Sequence, residues 1–195
     1  MPRTEPRVKA PASRRELLAS AATDYALEHG LVGLSLRPLA AAIGTSDRML
    51  LYHFSGKDDL VATMLRETND RSVAAIRALP PADGVRQAVR QLWAAVASPA
   101  LDRCQRMYVE AAALGLLGRE PYASVVREAN AVWTAALAEH LVASGMPRAR
   151  AGRAVRLLDA AFMGFQLDLP LYPDPAGLTG SVEDLAAAVA AIATS

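Results

Sequence analysis

The segment SLRPLAAAIGTSDRMLLYHFSGKDDL (35–60) decides the fold of this chain. It predicts a short helix that ends before Gly44, a turn of three residues, and a second helix of barely two turns over 47–53. A helix that short is marginal alone in water, so neighbouring helices must hold it. Inward-packing residues are present on both helices: Leu36, Leu39, Ala40, Ile43, Leu50 and Phe54. The pattern is a helix-turn-helix, whose second helix is the kind that enters the major groove of DNA.

The composition of the chain predicts an all-helical, soluble protein. Alanine is the commonest of the 195 residues, at 41 positions, and valine and isoleucine nowhere alternate with polar residues over a convincing strand. The single cysteine, Cys104, cannot form an internal disulfide and indicates a reducing compartment. The N-terminus has no apolar signal-peptide core, and no uncharged stretch approaches the roughly 18 residues that span a bilayer. We therefore expect a cytoplasmic protein with no membrane partner.

The charge distribution distinguishes the two ends of the chain. The formal net charge is +1, but residues 1–57 hold eight Lys and Arg against five Asp and Glu. The remainder holds thirteen basic residues against fifteen acidic ones. A mildly basic N-terminal part on an otherwise neutral protein is what we expect if only that part contacts phosphate.

Start and stop signals predict about nine helices. The capping box Ser13-Arg14-Arg15-Glu16 begins the first helix, and Gly30 ends it. Ser35 can cap the second helix, and the fourth runs from about 57 to 78. Five more are predicted over 83–97, 101–117, 121–144, 147–167 and 182–194, the last started by Ser181 and Asp184 after a loop over 169–180. We divide the chain into a helix-turn-helix domain with an N-terminal arm (1–56) and a larger helical domain (57–195).

The motif over 35–60, preceded by the capped first helix, resembles that of the tetracycline-repressor (TetR) family of transcriptional regulators. The resemblance rests on the order of helix, turn, short helix, aromatic-His-Phe and Gly-Lys. It implies an all-α fold in which three N-terminal helices bind DNA. About six further helices, joined to them through helix 4, would form a ligand-binding and dimerisation domain. It also implies a homodimer that binds a palindromic double-stranded operator and is no enzyme.

The resemblance assigns the first DNA contacts residue by residue. Ser35 stands at a helix start, and Arg37 matches a position that often reaches a base, where guanine suits a guanidinium. Thr45 and Ser46 match the turn and the start of the recognition helix, where hydroxyls and free N–H groups meet phosphate. Lys57 matches a lysine that contacts phosphate at the start of the fourth helix.

The recognition helix carries the remaining candidates. Asp47, Arg48 and Met49 fill the variable positions that set sequence preference. Asp47 can accept a hydrogen bond from cytosine N4, or it can favour the helix N-terminus. The family's commonest tyrosine falls one place before Tyr52, which lies beside His53, and both are candidates for a backbone contact.

These candidates also have simpler explanations. A solvated charged surface would explain Arg37, Arg48 and Lys57, while partial core burial would explain Tyr52 and a capping or packing role His53. The basic residues of the arm are expected to form a solvated tail, with minor-groove contact as the alternative: Arg3, Arg7, Lys9, Arg14 and Arg15.

Large side chains among many alanines mark a candidate ligand cavity in the C-terminal part. They are Trp93, Met107, Tyr108, Trp133 and Phe162, with Glu110 and His140 as polar candidates. Ordinary core packing is the alternative for each large residue. The expected ligand is an apolar or amphipathic small molecule. The histidines lack metal-ligand spacing and the cysteine is isolated, so we expect no metal and no cofactor.

The last two helices are candidates for a dimer interface. They carry apolar residues at helical spacing, among many Ala and Gly: Val155, Leu158, Phe165, Leu185, Val189 and Ile192. In a monomer this pair is expected to expose a larger apolar face than soluble proteins usually leave bare. Pairing with the two-fold mate would bury that face in a four-helix bundle.

Three functions compete at this point. The leading hypothesis is a repressor that a small molecule releases from its operator. The second is a DNA-binding protein without an effector, and a cavity near Trp93 and Trp133 would count against it. The third is an enzyme on a helical scaffold, which no nucleophile–base pair, metal cluster or phosphate-binding glycine loop in the sequence supports.

Overall fold

The computed structural model describes residues 12–168, 170–171 and 174–194. Within those residues the regular structure is α-helical, with no strand. The all-α prediction is therefore confirmed. The helices are α1 (Arg14–His29), α2 (Leu36–Ala42), α3 (Asp47–His53), α4 (Lys57–Arg77), α5 (Val85–Val96), α6 (Pro99–Leu116), α7 (Tyr122–Ala143), α8 (Arg148–Asp168) and α9 (Pro175–Thr194).

The N-terminal caps explain why the first and third helices begin where they do. The Ser13 hydroxyl accepts from the Glu16 backbone N–H at 3.2 Å, and the Glu16 carboxylate accepts from the Ser13 N–H at 2.6 Å. The predicted capping box is confirmed. The Ser46 hydroxyl caps α3 by accepting from the N–H of Met49 at 3.2 Å. Ser35 precedes α2 but its side chain makes no capping hydrogen bond, so its predicted capping role is wrong.

The start of α9 differs most from the sequence expectation. The helix begins at Pro175, and not at the signal formed by Ser181 and Asp184. The Asp174 side chain accepts from the N–H of Gly177 at 3.0 Å, and thus satisfies one of the free donors of the first turn. Proline fits the first helical position because its missing N–H has no partner there. The predicted loop over 169–180 is therefore wrong from residue 175 onward.

The first of two apolar clusters joins the three N-terminal helices to the rest of the protein. Leu39 of α2 and Leu50 of α3 are buried with Met64 of α4 in one cluster. Met107 of α6 and Val125 of α7 belong to the same cluster. The N-terminal helices therefore have no separate core, and α4 contributes to theirs from its first turns.

The second cluster lies between α4, α5, α7, α8 and α9 and contains most of the predicted dimer residues. Val155, Leu158, Leu185, Val189 and Ile192 are all buried in it together with α5. Phe165 is partly buried and meets the Trp93 ring edge-on, with 5.7 Å between ring centroids. The expectation that these six residues form an exposed face is wrong, because α5 packs on α9 and α7 packs on α8 within the same chain.

The exposed face of α9 is instead rich in small residues, whereas α8 exposes Arg153 and Arg156 beside its small residues. On α9 the exposed positions include Ser181, Ala188 and Ala191, and on α8 they include Leu157 and Ala160. One described helix segment, Ala176–Thr194, is long and apolar enough to cross a bilayer by length and composition alone. Its large apolar residues pack into the second cluster, so its composition is that of a core helix with a small-residue outer face.

Candidate DNA interface and ligand cavity

One side of the short helix α3 is buried in the first cluster, and the other side is an exposed polar surface. Leu50 and Phe54 are 1% and 2% exposed, and they anchor α3 in the first cluster. This packing is what allows seven residues to remain helical. The predicted DNA-contacting residues lie on the surface of α2, α3 and the start of α4. Eight are exposed and two are partly buried: Ser35, Arg37, Ser46, Asp47, Arg48, Met49, Tyr52 and Lys57, then Thr45 and His53.

The basic side chains of this surface differ in what holds them. Neither Arg37 nor Arg48 forms a side-chain hydrogen bond or salt bridge with another described residue, so both guanidinium groups face solvent. Lys57 instead donates from Nζ to the backbone carbonyl of Leu34, just before α2. An ammonium group has three donors, so this bond positions Lys57 and leaves donors for a further acceptor.

The acidic and aromatic residues of α3 have local roles as well. The Asp47 Oδ1 accepts from the N–H of Arg48 at 2.9 Å, in the first turn of α3, where a carboxylate is favourable. The Tyr52 side chain is 79% exposed, so it is not part of the core. Its ring meets that of His53 edge-on, with 5.1 Å between centroids.

Arg15 ties α1 to the end of α3 and the start of α4. Its Nε donates to the carbonyl of His53 at 3.1 Å, and its Nη2 lies 3.3 Å from both carboxylate oxygens of Asp59. The guanidinium carbon also lies 4.6 Å from the centre of the Phe54 ring. Arg15 is therefore a structural anchor, and its assignment to a solvated tail is wrong. Of the other arm residues, Arg14 is exposed, while Arg3, Arg7 and Lys9 lie outside the described residues.

A cavity opens between α4, α6, α7 and α8. The space between its walls is about 750 Å³ when the open solvent at its mouth is counted with it. Three of the predicted lining residues, Tyr108, Trp133 and Phe162, border it. The helix α4 contributes Leu65, Thr68, Asn69 and Ser72, and the other lining residues include Leu101, Cys104, Gln105, Val125, Val126, Ala129, Asn130, Asp159, Met163 and Gln166.

The wall of the cavity includes one carboxyl group, that of Asp159. Its Oδ1 accepts from the indole N–H of Trp133 at 2.8 Å. Burial raises the pKa of the Asp159 carboxyl, while this hydrogen bond acts in the opposite direction. The Tyr108 hydroxyl donates to Asn130 Oδ1 at 3.2 Å. Burial also raises the pKa of Tyr108, and the charge of Asp159 adds to that effect.

Four predicted cavity residues lie elsewhere. Trp93 is not among the residues that border this cavity; its ring packs against that of Phe162 at a tilt of 52°, with 5.3 Å between ring centroids. Met107 is buried in the first cluster. His140 is buried on α7 with no described partner for Nε2, and burial lowers its pKa. Glu110 faces the N-terminal helices. Because α6 turns by about 100° per residue, residues next to Tyr108 point to other sides of the helix.

Glu110 binds the turn between α1 and α2. Its Oε2 accepts from the backbone N–H of Leu31 at 2.6 Å and from that of Val32 at 2.7 Å. The carboxylate also lies against Gly30, where an added Cβ would come within 2.8 Å of Oε1. Glu110 is therefore a direct connection between the cavity helix α6 and the N-terminal helices.

Sequence reasoning missed Asp159 and Arg15. Asp159 lies four residues after Val155 and three before Phe162, so helical spacing places it on the same inward side. That spacing was the available signal. Arg15 gave no comparable signal, because its partners Asp59 and His53 are far from it in the sequence.

The chain is similar to one known protein family and to several solved structures. Residues 18–64 match the model of the family described as "Bacterial regulatory proteins, tetR family". None of the curated protein sequences matches the chain.

Solved structures resemble almost the whole chain. A transcriptional regulator from Rhodococcus sp. Rha1 is 24% identical, with a TM-score of 0.75 over 91% of this chain and 96% of its own. A TetR transcription regulator from Haloarcula marismortui ATCC 43049 is 20% identical, with a TM-score of 0.66 over 91% of this chain and 96% of its own. The multidrug binding protein EbrR, complexed with imidazole, is 26% identical, with a TM-score of 0.64 over 92% of this chain and 96% of its own.

Proposed function

The chain belongs to the TetR family of bacterial transcriptional regulators, and we propose that it is a repressor released from a palindromic DNA operator by a small molecule. As a member of that family it is a DNA-binding regulator and not an enzyme. The repressor mode, the effector and the cytoplasmic location are parts of the proposal.

The proposal of a small-molecule effector is supported by two helices, α4 and α6, which line the cavity and also contact the DNA-binding helices. Leu65, Thr68 and Ser72 of α4 line the cavity, and the same helix begins at Lys57 beside α3. On α6, Tyr108 borders the cavity while Glu110 holds the turn between α1 and α2. A ligand that moves α4 or α6 therefore changes the position of the DNA-binding helices. Coupling requires that the ligand bind the two arrangements with different affinity.

The proposed DNA contacts divide by chemistry. Arg37 and Arg48 are exposed guanidinium groups that can reach base edges or phosphate. The proposed contacts to the duplex backbone are Thr45, Ser46, Tyr52 and Lys57. Asp47, Met49 and His53 complete the surface. The residue types fit a recognition helix in the major groove with flanking phosphate contacts.

The proposed dimer uses the exposed faces of α8 and α9. Leu157 and Ala160 on α8 and Ala188 and Ala191 on α9 are exposed in the single chain. Small residues let helices approach closely, so two such pairs can form a four-helix bundle about a two-fold axis. A two-fold dimer reads a palindrome, and this is why the proposed operator is one.

The experiment is selection of bound sequences from random double-stranded DNA, followed by titration of the winning sequence. The proposal expects a palindrome, with half-sites roughly 34–36 Å apart or a multiple of that distance. A parallel selection with the Arg48→Ala variant is the control and should lose or change the consensus. Recovery of unrelated sequences by both proteins would overturn the proposed operator. A winning sequence without internal symmetry would overturn the two-fold arrangement.

A further inference from the structure

The charge of the cavity is carried by one group. Among the described residues that line it, Asp159 is the single ionisable side chain of Asp, Glu, Lys, Arg or His type. Its Oδ1 accepts from Trp133, and no described residue donates a hydrogen bond to its Oδ2. A carboxylate removed from water without a cationic partner is costly. The cavity therefore has an unbalanced negative charge on its wall.

The rest of the wall consists of aromatic, aliphatic and neutral polar groups. The rings of Trp133, Tyr108 and Phe162 border the same space as the carboxylate. Three of the described amides that line it have a partner: Asn130 Oδ1 accepts from Tyr108, the Gln105 Nε2 lies 3.1 Å from the sulfur of Met163, and the Gln166 Nε2 donates to the Val96 carbonyl. Aromatic faces attract cations, and most strongly when water is excluded. The wall is therefore complementary to a positive charge on an apolar body.

We propose that the effector is a lipophilic cation, an amine or quaternary ammonium with an aromatic or aliphatic body, and that Asp159 is its counter-charge. This inference rests on the proposed function and adds the chemical class of the effector. A cation at this place balances the carboxylate and contacts the rings of Trp133 and Tyr108. A neutral molecule of the same shape leaves the charge unbalanced, and an anion is repelled.

The test uses three probes of nearly the same shape and different charge. They are benzyltrimethylammonium, its neutral carbon analogue neopentylbenzene, and the anion 2,2-dimethyl-3-phenylpropanoate. The Trp93→Phe protein serves as the background, because Trp133 is then its one tryptophan and lies in the cavity wall. Binding is measured by Trp133 fluorescence and by calorimetry. The variant is Asp159→Asn, which keeps an oxygen acceptor for the Trp133 N–H, and the control is Asp168→Asn at the exposed end of α8.

The expected order is cation first, neutral analogue weaker, and anion weakest. Asp159→Asn should weaken the cation about tenfold or more and leave the neutral analogue within about twofold, while Asp168→Asn should change neither. If the neutral analogue binds as tightly as the cation, or if the cation does not bind at all, the charge proposal is wrong. The order of the three probes on the unmutated cavity decides this even if Asp159→Asn fails to fold. Neither result affects the operator selection, so the proposed function stands or fails separately.

Discussion

The Glu110 carboxylate accepts a hydrogen bond of 2.6 Å from the backbone N–H of Leu31, across 79 residues of sequence. The same oxygen accepts from Val32, so one side chain of α6 satisfies two donors of the turn between α1 and α2. Charge-assisted bonds of this kind are stronger than those between neutral groups. The relationship connects the DNA-binding helices to the helix that carries Tyr108, and it is the basis of the first prediction.

Glu110→Ala should lower the free energy of unfolding by about 1–3 kcal/mol, because two backbone donors lose a charged acceptor. It should also speed hydrogen exchange of the Leu31 and Val32 amides, measured by NMR, more than exchange in α8. Glu128→Ala is the matched control, since Glu128 is an exposed carboxylate paired with Arg66 at 3.0 Å and exposed pairs contribute little. Equal protection of the two amides in both variants would contradict a holding role for Glu110.

Arg15 should matter for DNA binding without touching DNA. Arg15→Met keeps the apolar stem over Phe54 but removes the bonds to His53 and Asp59, so α3 loses an anchor. We expect weaker operator binding together with a lower melting temperature, measured by fluorescence anisotropy and calorimetry. Arg14→Met is the control, because Arg14 is the exposed neighbour with no described side-chain bond. Weaker DNA binding at unchanged stability would indicate direct contact instead.

Local sequence signals predicted the helices well where the cap residue acts on its own turn. Ser13 with Glu16 is such a case. The cap of α3 by Ser46 was not predicted, although the helix itself was predicted over 47–53. The start of α9 was wrong because Ser181 lies inside the helix while Asp174, with its acceptor for Gly177, begins it. A residue several positions upstream of the apparent signal decided the boundary.

Helical spacing shows which side chains share a face of a helix, but it does not show what that face packs against. Large size selected Trp133 and Phe162 for the cavity correctly, but it also selected Trp93, which lies behind Phe162. The apolar side of α8 was identified from the sequence, but the helices that pack against it were not. The sequence contains no local signal that α5 packs on α9 or that α7 packs on α8, because those contacts depend on the tertiary arrangement.

The proposed readout separates base contacts from phosphate contacts. Loss of a bidentate base contact at Arg37 or Arg48 should cost about 1–3 kcal/mol and relax preference at one position of the operator. Lys57→Ala should weaken all sequences about equally and reduce the salt slope by about one. Arg103→Ala, an exposed arginine of α6, is the control for the loss of one positive charge. Unchanged DNA affinity in the alanine variants of Arg37, Arg48 and Lys57, with helicity intact, would show that these three residues do not contact DNA.

Asp159 should make the free protein less stable as the pH rises. Burial raises the pKa of the folded state above the ordinary 3.8, so the folded protein holds its proton at pH values where the unfolded chain has lost it. The stability contribution of the protonated group is thus complete below the unfolded pKa and is lost as the pH rises through the folded pKa. Asp159→Asn should therefore melt at a higher temperature than wild type at about pH 7, and the difference should shrink toward about pH 4. A difference that grows on acidification would reverse the assignment.

The last prediction concerns the dimer and uses the exposed outer face of α8. Leu157 is 43% exposed in the single chain, whereas Leu185 is buried beneath α5. Leu157→Glu should therefore split a dimer built on α8 and α9 while leaving the fold intact, and Leu185→Glu should unfold the chain. The control is Leu117→Glu, because Leu117 is 73% exposed after the end of α6, away from that face.

Splitting the dimer should act on DNA from a distance. We expect each single DNA-binding surface to bind weakly, and joining two of them can raise affinity by about 10²–10⁴ without new contacts. Leu157→Glu should lose operator affinity on that scale while residues 35–57 remain unchanged. Sedimentation and DNA titration on the same sample measure both quantities. A Leu157→Glu protein that sediments as a monomer and binds the palindrome at wild-type affinity would show that the two-fold pairing is not what holds the operator.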